Sequence, residues 1–333
     1  MAIVGIDTLM FGTDDLALSE RFFIDFGLPV ERSAQDETHF RLPEGSSVIL
    51  RKGDDARLPQ SNMVGPGVRE VIWGVSDQAS LDGLCADLGA DHVLSEGPDG
   101  AIHFTTDFGL TMGLRLFSKN AVVSAPEPGN APGHVVRMNR PRRWRERALP
   151  KGISHVVFAL PDFERGAAFM QERLGFRMSD EQVGFGYYLR ADGANNHHNL
   201  LLVNASAPVP GMDGNIRFHH VNFAVEDLDE IMIGANHMER CGWAPSHQGL
   251  GRHRIDSALF YYIPCPAGGE AEYGADADYV DDGWVPRRWP EPLFAYAHFV
   301  HNLPPFLRQP PRWKIEYINR AVTGAPPPSR PEH

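Results

Sequence analysis

Cysteine is scarce in this chain: three in 333 residues, Cys85, Cys241 and Cys265, far apart and without a CxxC pair. That excludes a disulfide framework and a CxxC zinc site, and it suits a reducing cytoplasm. Basic charge is also short, because Lys+Arg 31 against Asp+Glu 43 leaves a net charge of −12. Such a surface repels the phosphates of nucleic acid and of anionic membranes, so neither is expected as a partner. No apolar run approaches the ~20 residues that span a bilayer. The opening, MAIVGIDTLMFGTDD, lacks a basic stretch and meets acid at Asp7, which predicts no secretory signal. What is present suits a soluble globular enzyme: 42% hydrophobic and 22% charged residues, in a length comfortable for two domains of about 150 residues each.

Four segments repeat one pattern of apolar strand, Asp-bearing turn, amphipathic helix and closing glycine: GIDTLMFGTDDLALSERFFIDFG, REVIWGVSDQASLDGLCADLG, ISHVVFALPDFERGAAFMQERLG and HHVNFAVEDLDEIMIGANHMERCG. The polar residues opening the strands align as Asp7, Glu70, His155 and His220, and the helices close at Gly27, Gly89, Gly175 and Gly242. A glycine at that place takes up the left-handed backbone at little steric cost. In the third copy Phe163, Ala167, Met170 and Leu174 fall on one helical face, and Asp162 is placed to cap it. Alternating stretches such as VGFGYYLRAD and NLLLVNA follow as strands, so each unit reads as βαβββ. The fold class expected is α+β, four βαβββ modules paired into two domains.

The expected organisation is an N-terminal domain over residues 1–123, a linker over 124–150, a C-terminal domain over 151–275 and an extension with a tail over 276–333. The linker is punctuated by Pro and Gly and crowds Arg137, Arg140, Arg142, Arg143, Arg145 and Arg147. It reads as a solvated basic linker pinned to an acidic protein, with an anion site or a subunit contact as alternatives. The extension DDGWVPRRWPEPLFAYAHFVHNLPPFLRQPPRWKIEYI reads as an ordered, aromatic-rich segment packed on the body, and GAPPPSRPEH as a frayed tail.

The chemistry lies in the third and fourth copies. His155 and His220 open equivalent strands, and Glu272 sits in the strand of CPAGGEAEYG. Two neutral imidazoles and one carboxylate make a facial triad, which holds Fe(II) and leaves coordination positions open for a diol and O2. A lone strand histidine is usually structural, so the weight rests on the repeat. His219 is the alternative ligand, but strand alternation groups His220 with Asn222 and Ala224, and the match to His155 selects His220. The first two copies carry Asp7 and Glu70 there, with Gly113 at the place of Glu272, so the N-terminal half reads as a metal-free duplicate. Further titratable groups are His197 and His198 in NNHHNLLLV, and His253, Asp256 and Tyr262 in GRHRIDSALFYYIPCP. An imidazole can take up and return a proton near neutrality, and a tyrosine can donate a hydrogen bond to an oxygen ligand.

In these residues the chain resembles the type I extradiol ring-cleavage dioxygenases of the vicinal oxygen chelate superfamily. The resemblance runs over residues 1 to about 276 in module layout and is specific over 151–274. In GRHRIDSALFYYIPCPAGGEAEYG, His253 is followed by Tyr262 nine residues on, then by Pro266-x-Gly268, and by Glu272 nineteen residues after the histidine. The resemblance implies that His155, His220 and Glu272 bind Fe(II), with Mn(II) suited to the same ligands. It further implies that His198 is the acid/base group, and that His253 and Tyr262 contact the substrate hydroxyl and bound oxygen. Asp256 matches an Asp of the biphenyl-type members. The implied activity is cleavage of a catechol-type diol with O2 in aromatic compound catabolism, by a homo-oligomer. Three departures stand out: Cys265 before Pro266, Pro264 demoting its strand to an edge or a bulge, and a longer stretch between His198 and His220. Two other readings are a metal-dependent, glyoxalase-like lyase or isomerase, which needs no oxygen, and a non-catalytic binder of an aromatic or antibiotic.

Overall fold

The computed structural model describes residues 3–208 and 211–318; the tail 324–333 lies outside the described residues. The first module is β1 (Ile3–Thr13), α1 (Leu16–Phe26), β2 (Val30–Ser33), β3 (Glu37–Arg41) and β4 (Ser47–Lys52). The second is β5 (Gly67–Val75), α2 (Gln78–Leu88), β6 (Ser95–Glu96), β7 (Ile102–Thr105) and β8 (Thr111–Leu116). The third is β9 (Gly152–Leu160), α3 (Phe163–Leu174), β10 (Arg177–Gln182), β11 (Gly186–Arg190) and β12 (Leu200–Asn204). The fourth is β13 (Arg217–Ala224), α4 (Leu228–Arg240), β14 (Gly251–Arg252), β15 (Leu259–Pro264) and β16 (Glu270–Ala275). The extension adds β17 (Arg287–Trp289), α5 (Pro292–Tyr296), β18 (Phe299–Val300) and β19 (Glu316–Tyr317). None of the described helices is long and apolar enough to cross a membrane.

In each module the first strand pairs parallel with the last, β1 with β4, β5 with β8, β9 with β12 and β13 with β16. The modules join in pairs through antiparallel β1–β5 and β9–β13. The result is an eight-stranded sheet in the order β2-β3-β4-β1-β5-β8-β7-β6 and an eleven-stranded sheet in the order β18-β14-β15-β16-β13-β9-β12-β11-β10-β17-β19. This is the α+β architecture that the repeat predicts.

Register sharpens the repeat and corrects it at one point. Gly113 pairs with Ile72 as Glu272 pairs with Asn222, so Gly113 does take the place of Glu272. In the first copy, however, Thr8 pairs with Ile72 as His155 pairs with Asn222. Thr8, not Asp7, is therefore the counterpart of His155. An irregularity between Ile6 and Thr8 leaves Asp7 out of the pairing, as a β-bulge does.

The helix ends follow local chemistry with two exceptions. Asp15, Asp77 and Asp227 accept from the backbone N–H of Leu18, Ser80 and Glu230, but Asp162 makes no such capping bond. Gly27 and Gly175 are left-handed (φ 107° and 70°), whereas Gly89 stays right-handed at φ −66° because the coil runs on, with its N–H still donating to the Cys85 carbonyl. The predicted face of α3, Phe163, Ala167, Met170 and Leu174, is buried. Pro264 neither displaces nor bulges its strand: β15 pairs with β14 and β16, without irregularity against β16, and simply ends at the proline.

One apolar core runs through both sheets. Phe26 of α1 stacks on Tyr273 of β16 at 3.9 Å between centroids, and the Tyr273 hydroxyl donates to the Phe26 carbonyl at 2.7 Å. Phe11 meets Phe218 edge-on at 5.4 Å. Because strand side chains alternate, anchoring Tyr273 in this core turns its neighbour Glu272 to the opposite face. The arginine-rich linker is pinned to the acidic start of α4: Arg142 pairs with Asp229 at 2.5 Å, Arg143 with Glu226 at 2.6 Å, and Arg145 with Glu230 at 3.0 Å and with Glu226. Burial pushes the Glu226 carboxyl up, but Arg145 and Lys151 outweigh it and hold the group at about 2. The extension packs as expected, with Trp289 and Phe294 buried.

Candidate metal centre

His155 on β9, His220 on β13 and Glu272 on β16 meet on one face of three adjacent strands. All three are buried, at 8%, 5% and 1% exposure. The two imidazole Nε2 atoms lie 3.2 Å apart, and each lies 3.4 Å from Glu272 Oε2. That oxygen is buried without a hydrogen-bond partner. Neighbouring ligands of an octahedral ion with bonds of about 2.1 Å sit about 3.0 Å apart, so this donor set fits one divalent cation bound through one face. Burial drives His220 well below the usual imidazole range, helped by His219 and His155, so it is a neutral nitrogen donor. The regular alternation expected of this strand breaks at His219, which an irregularity between Phe218 and His220 leaves out of the β9–β13 pairing, and its Nδ1 lies 2.7 Å from that of His220. Burial holds it at about 4.

The remaining residues singled out in the sequence surround this face. His198, two residues before β12, stacks on His155 with centroids 4.1 Å apart, and burial keeps it neutral, with His155 and His197 adding to the effect. Tyr262 pairs with Glu272 in register, and its ring meets His220 edge-on at 5.0 Å. His253 Nδ1–H donates to the Tyr296 carbonyl at 2.6 Å, which leaves Nε2 to accept from the Tyr262 hydroxyl at 3.2 Å. Burial, with Glu272 nearby, pushes the Tyr262 phenol well up and keeps it a donor. Asp256 is buried, accepts from the Ala258 N–H, and has Oδ2 3.9 Å from His198 Nδ1, beyond hydrogen-bond reach.

Several residues were not singled out. Glu270 lies two before Glu272 on the same strand face, and burial with the Glu272 charge raises it to about 7. Strand alternation could have found it. Asn222 shares the row of His155 and Glu272, and Gly274 is needed beside it, since a Cβ there would lie 2.1 Å from Asn222 Nδ2. Gly268 (φ 112°) likewise admits the Pro66 backbone, which a Cβ would approach to 2.2 Å. Tyr296 comes from the extension, from which no role was expected. Four arginines near this face are already engaged: Arg252, Arg287 and Arg288 pair with Asp276, Asp180 and Glu181, and Arg254 donates to the Phe294 and Ala297 carbonyls.

The N-terminal half carries a different filling. Arg115 Nε lies 2.6 Å from Asp7, and His103 Nδ1 2.6 Å from Glu70, so both buried carboxylates are neutralised by side chains. A separate Asp25, His237 and Cys241 group lies between α1 and α4. There Asp25 already accepts from the Trp243 indole at 2.9 Å and faces Arg21 at 3.6 Å.

Fold and site together define a chain that carries a vicinal oxygen chelate domain: residues 152–265 match the Glyoxalase/Bleomycin resistance protein/Dioxygenase superfamily. Among individual proteins, the chain is 28% identical over 310 residues to metapyrocatechase 2 of Cupriavidus necator, covering 91% of this chain and 90% of that protein. It is 27% identical over 232 residues to biphenyl-2,3-diol 1,2-dioxygenase of Paraburkholderia xenovorans (strain LB400), covering 66% of this chain and 69% of that one. The crystal structure of the Mn(II)-bound glyoxalase from Novosphingobium aromaticivorans superposes with a TM-score of 0.68 at 20% identity, over 89% of this chain and 90% of that one. At that identity the likeness speaks for the fold alone.

Proposed function

We propose that this protein is an extradiol dioxygenase that opens the ring of a catechol-type diol with O2 at a single non-haem Fe(II), Mn(II) being compatible with the same donors. The observation that carries the reading is the buried Glu272 oxygen without a partner, facing two imidazole nitrogens at 3.4 Å. His155, His220 and Glu272 would hold the ion, and the C-terminal half, residues 151–275, is the catalytic domain that the metal-free N-terminal half supports. When bound, the metal supplies a template for the diol and an electron path to oxygen. His198, kept neutral by burial, accepts a substrate hydroxyl proton and later returns it to the product. Tyr262 remains protonated and offers its hydroxyl as a donor, and His253 is held in one tautomer by the Tyr296 carbonyl, so that Nε2 is an acceptor. Asp256 adds negative charge near His198 without bonding to it.

The biphenyl diol in one relative's name supports an aromatic diol as substrate. A glyoxalase-like lyase or isomerase would use the same ligands without oxygen, and a non-catalytic binder would need neither. A homo-oligomer belongs to the same reading, and three free cysteines support a cytoplasmic location. His198→Gln tests the site: turnover should fall by about 10²- to 10⁴-fold while metal content stays at that of the unaltered protein. Loss of the metal together with turnover would make His198 a ligand and not the acid/base group.

A further inference from the structure

We infer that Asp180 and His197 form a hydrogen-bonded relay that fixes His198 in its Nδ1–H tautomer and leaves Nε2 as the bare nitrogen. The inference rests on the reading of His198 as the acid/base group, and it makes Asp180 and His197 positioning residues for it.

Asp180 of β10 is fully buried. It accepts from the Arg287 backbone N–H at 2.8 Å, from Arg287 Nη2 at 2.6 Å and from the Trp289 indole at 3.2 Å. A carboxylate paired with a guanidinium only accepts. His197 Nε2, 3.2 Å from Asp180 Oδ2, must therefore carry the proton of that bond. Among the described residues Asp180, already balanced by Arg287, is the one carboxylate in ion-pair reach of His197, so a charged His197, itself 1% exposed, would lack a paired counter-ion. A neutral imidazole has one N–H, so His197 Nδ1 is a lone pair. It lies 3.2 Å from His198 Nδ1, where two lone pairs would repel, so His198 Nδ1–H is the donor. Asp256 Oδ2, at 3.9 Å, favours the same proton position through space. The pairing of β10 with β17 is what brings Arg287 onto Asp180, which gives the C-terminal extension a part in the site.

A relay of this kind resembles the way a buried carboxylate sets a catalytic imidazole through its far nitrogen. Gln at position 197 keeps the polarity, with an amide N–H for Asp180 and a carbonyl for His198. Phe keeps the bulk and neither group.

The tautomer is read directly by long-range ¹H–¹⁵N spectra of protein labelled with ¹⁵N-histidine, without metal and with Zn(II), His198 being assigned by its loss in His198→Gln. The relay predicts a protonated Nδ1 and a bare Nε2 for His198, a change or mixture of tautomers in His197→Phe, and the original pattern in His197→Gln. In turnover, His197→Phe should lower kcat by about 10- to 100-fold with KM and metal content little changed, and His197→Gln should recover most of it. A protonated Nε2 in the unaltered protein overturns the relay, and that reading needs no variant to fold. So does an unchanged tautomer in His197→Phe, or a second bound ion lost on changing His197, His198 or Asp256. If the tautomer is as predicted but His198→Gln retains turnover, the relay stands and the acid/base reading of His198 fails.

Discussion

Replacing Glu272 by Gln should stabilise the metal-free protein and destabilise the metal-loaded one relative to the unaltered chain. Glu272 is 1% exposed, and its Oε2 has no hydrogen-bond partner. A buried polar atom left without a partner costs about 1–3 kcal/mol, more if charged. Gln keeps the shape, removes the charge and adds an amide N–H that an imidazole nitrogen can accept. Without metal the variant should therefore be more stable by about 1–3 kcal/mol, a rise in melting temperature of about 2–6 °C at this chain length. With metal at 1,000 times Kd, the unaltered protein gains about 4.1 kcal/mol. The variant has lost the triad's one negative donor, so most of that gain disappears and the stability order inverts. Anaerobic thermal melts of both proteins with and without Mn(II) read the inversion. A metal-free variant less stable than the parent, or equal Mn(II) shifts in the two, would refute the reasoning that this carboxylate is held for a cation.

Two further outcomes test the supporting frame. Glu226 titrates at about 2 in the folded chain against an ordinary 4.5, so its pairing with the linker arginines stabilises above about pH 4.5, and this contribution is lost as pH falls toward 2. Allowing for solvent screening, Glu226→Gln should cost about 1–2 kcal/mol at pH 7 and almost nothing near pH 2, as measured by urea unfolding at both pH values. Arg115→Met leaves the 2% exposed Asp7 without its cation and should cost about 3–5 kcal/mol, while metal content, which belongs to the other half, stays the same.

Much of this was legible because a repeat compares four solutions to one steric problem. The interval from strand histidine to helix cap is seven residues in both His155…Asp162 and His220…Asp227, so equal strands deliver equal positions, and Gly113 opposite Glu272 followed from the same logic. The first copy misled because eight residues separate Asp7 from Asp15, and the extra one is absorbed as a bulge that hydrophobic pattern does not mark. Asp162 has the right residue type for a cap, but its backbone (φ −110°, ψ 56°) departs from the extended form of the other three. The largest gap lay in the extension. Nothing local in RRW announces that Arg287 will sit on Asp180, 107 residues earlier, because that pairing is fixed by how β17 adds to the sheet edge. Tyr296 likewise reaches His253 through a backbone carbonyl, which no side-chain pattern encodes.

The most direct test of the central claim is oxygen uptake by protein reconstituted anaerobically with Fe(II), on addition of a panel of catechols, with absorbance followed for a yellow ring-fission product. Uptake should be matched one-to-one by product for at least one diol, and abolished in Glu272→Gln. Tight Fe(II) binding with no uptake for any diol would contradict the dioxygenase reading, and failure to bind Fe(II) at all would contradict the His155, His220 and Glu272 site itself.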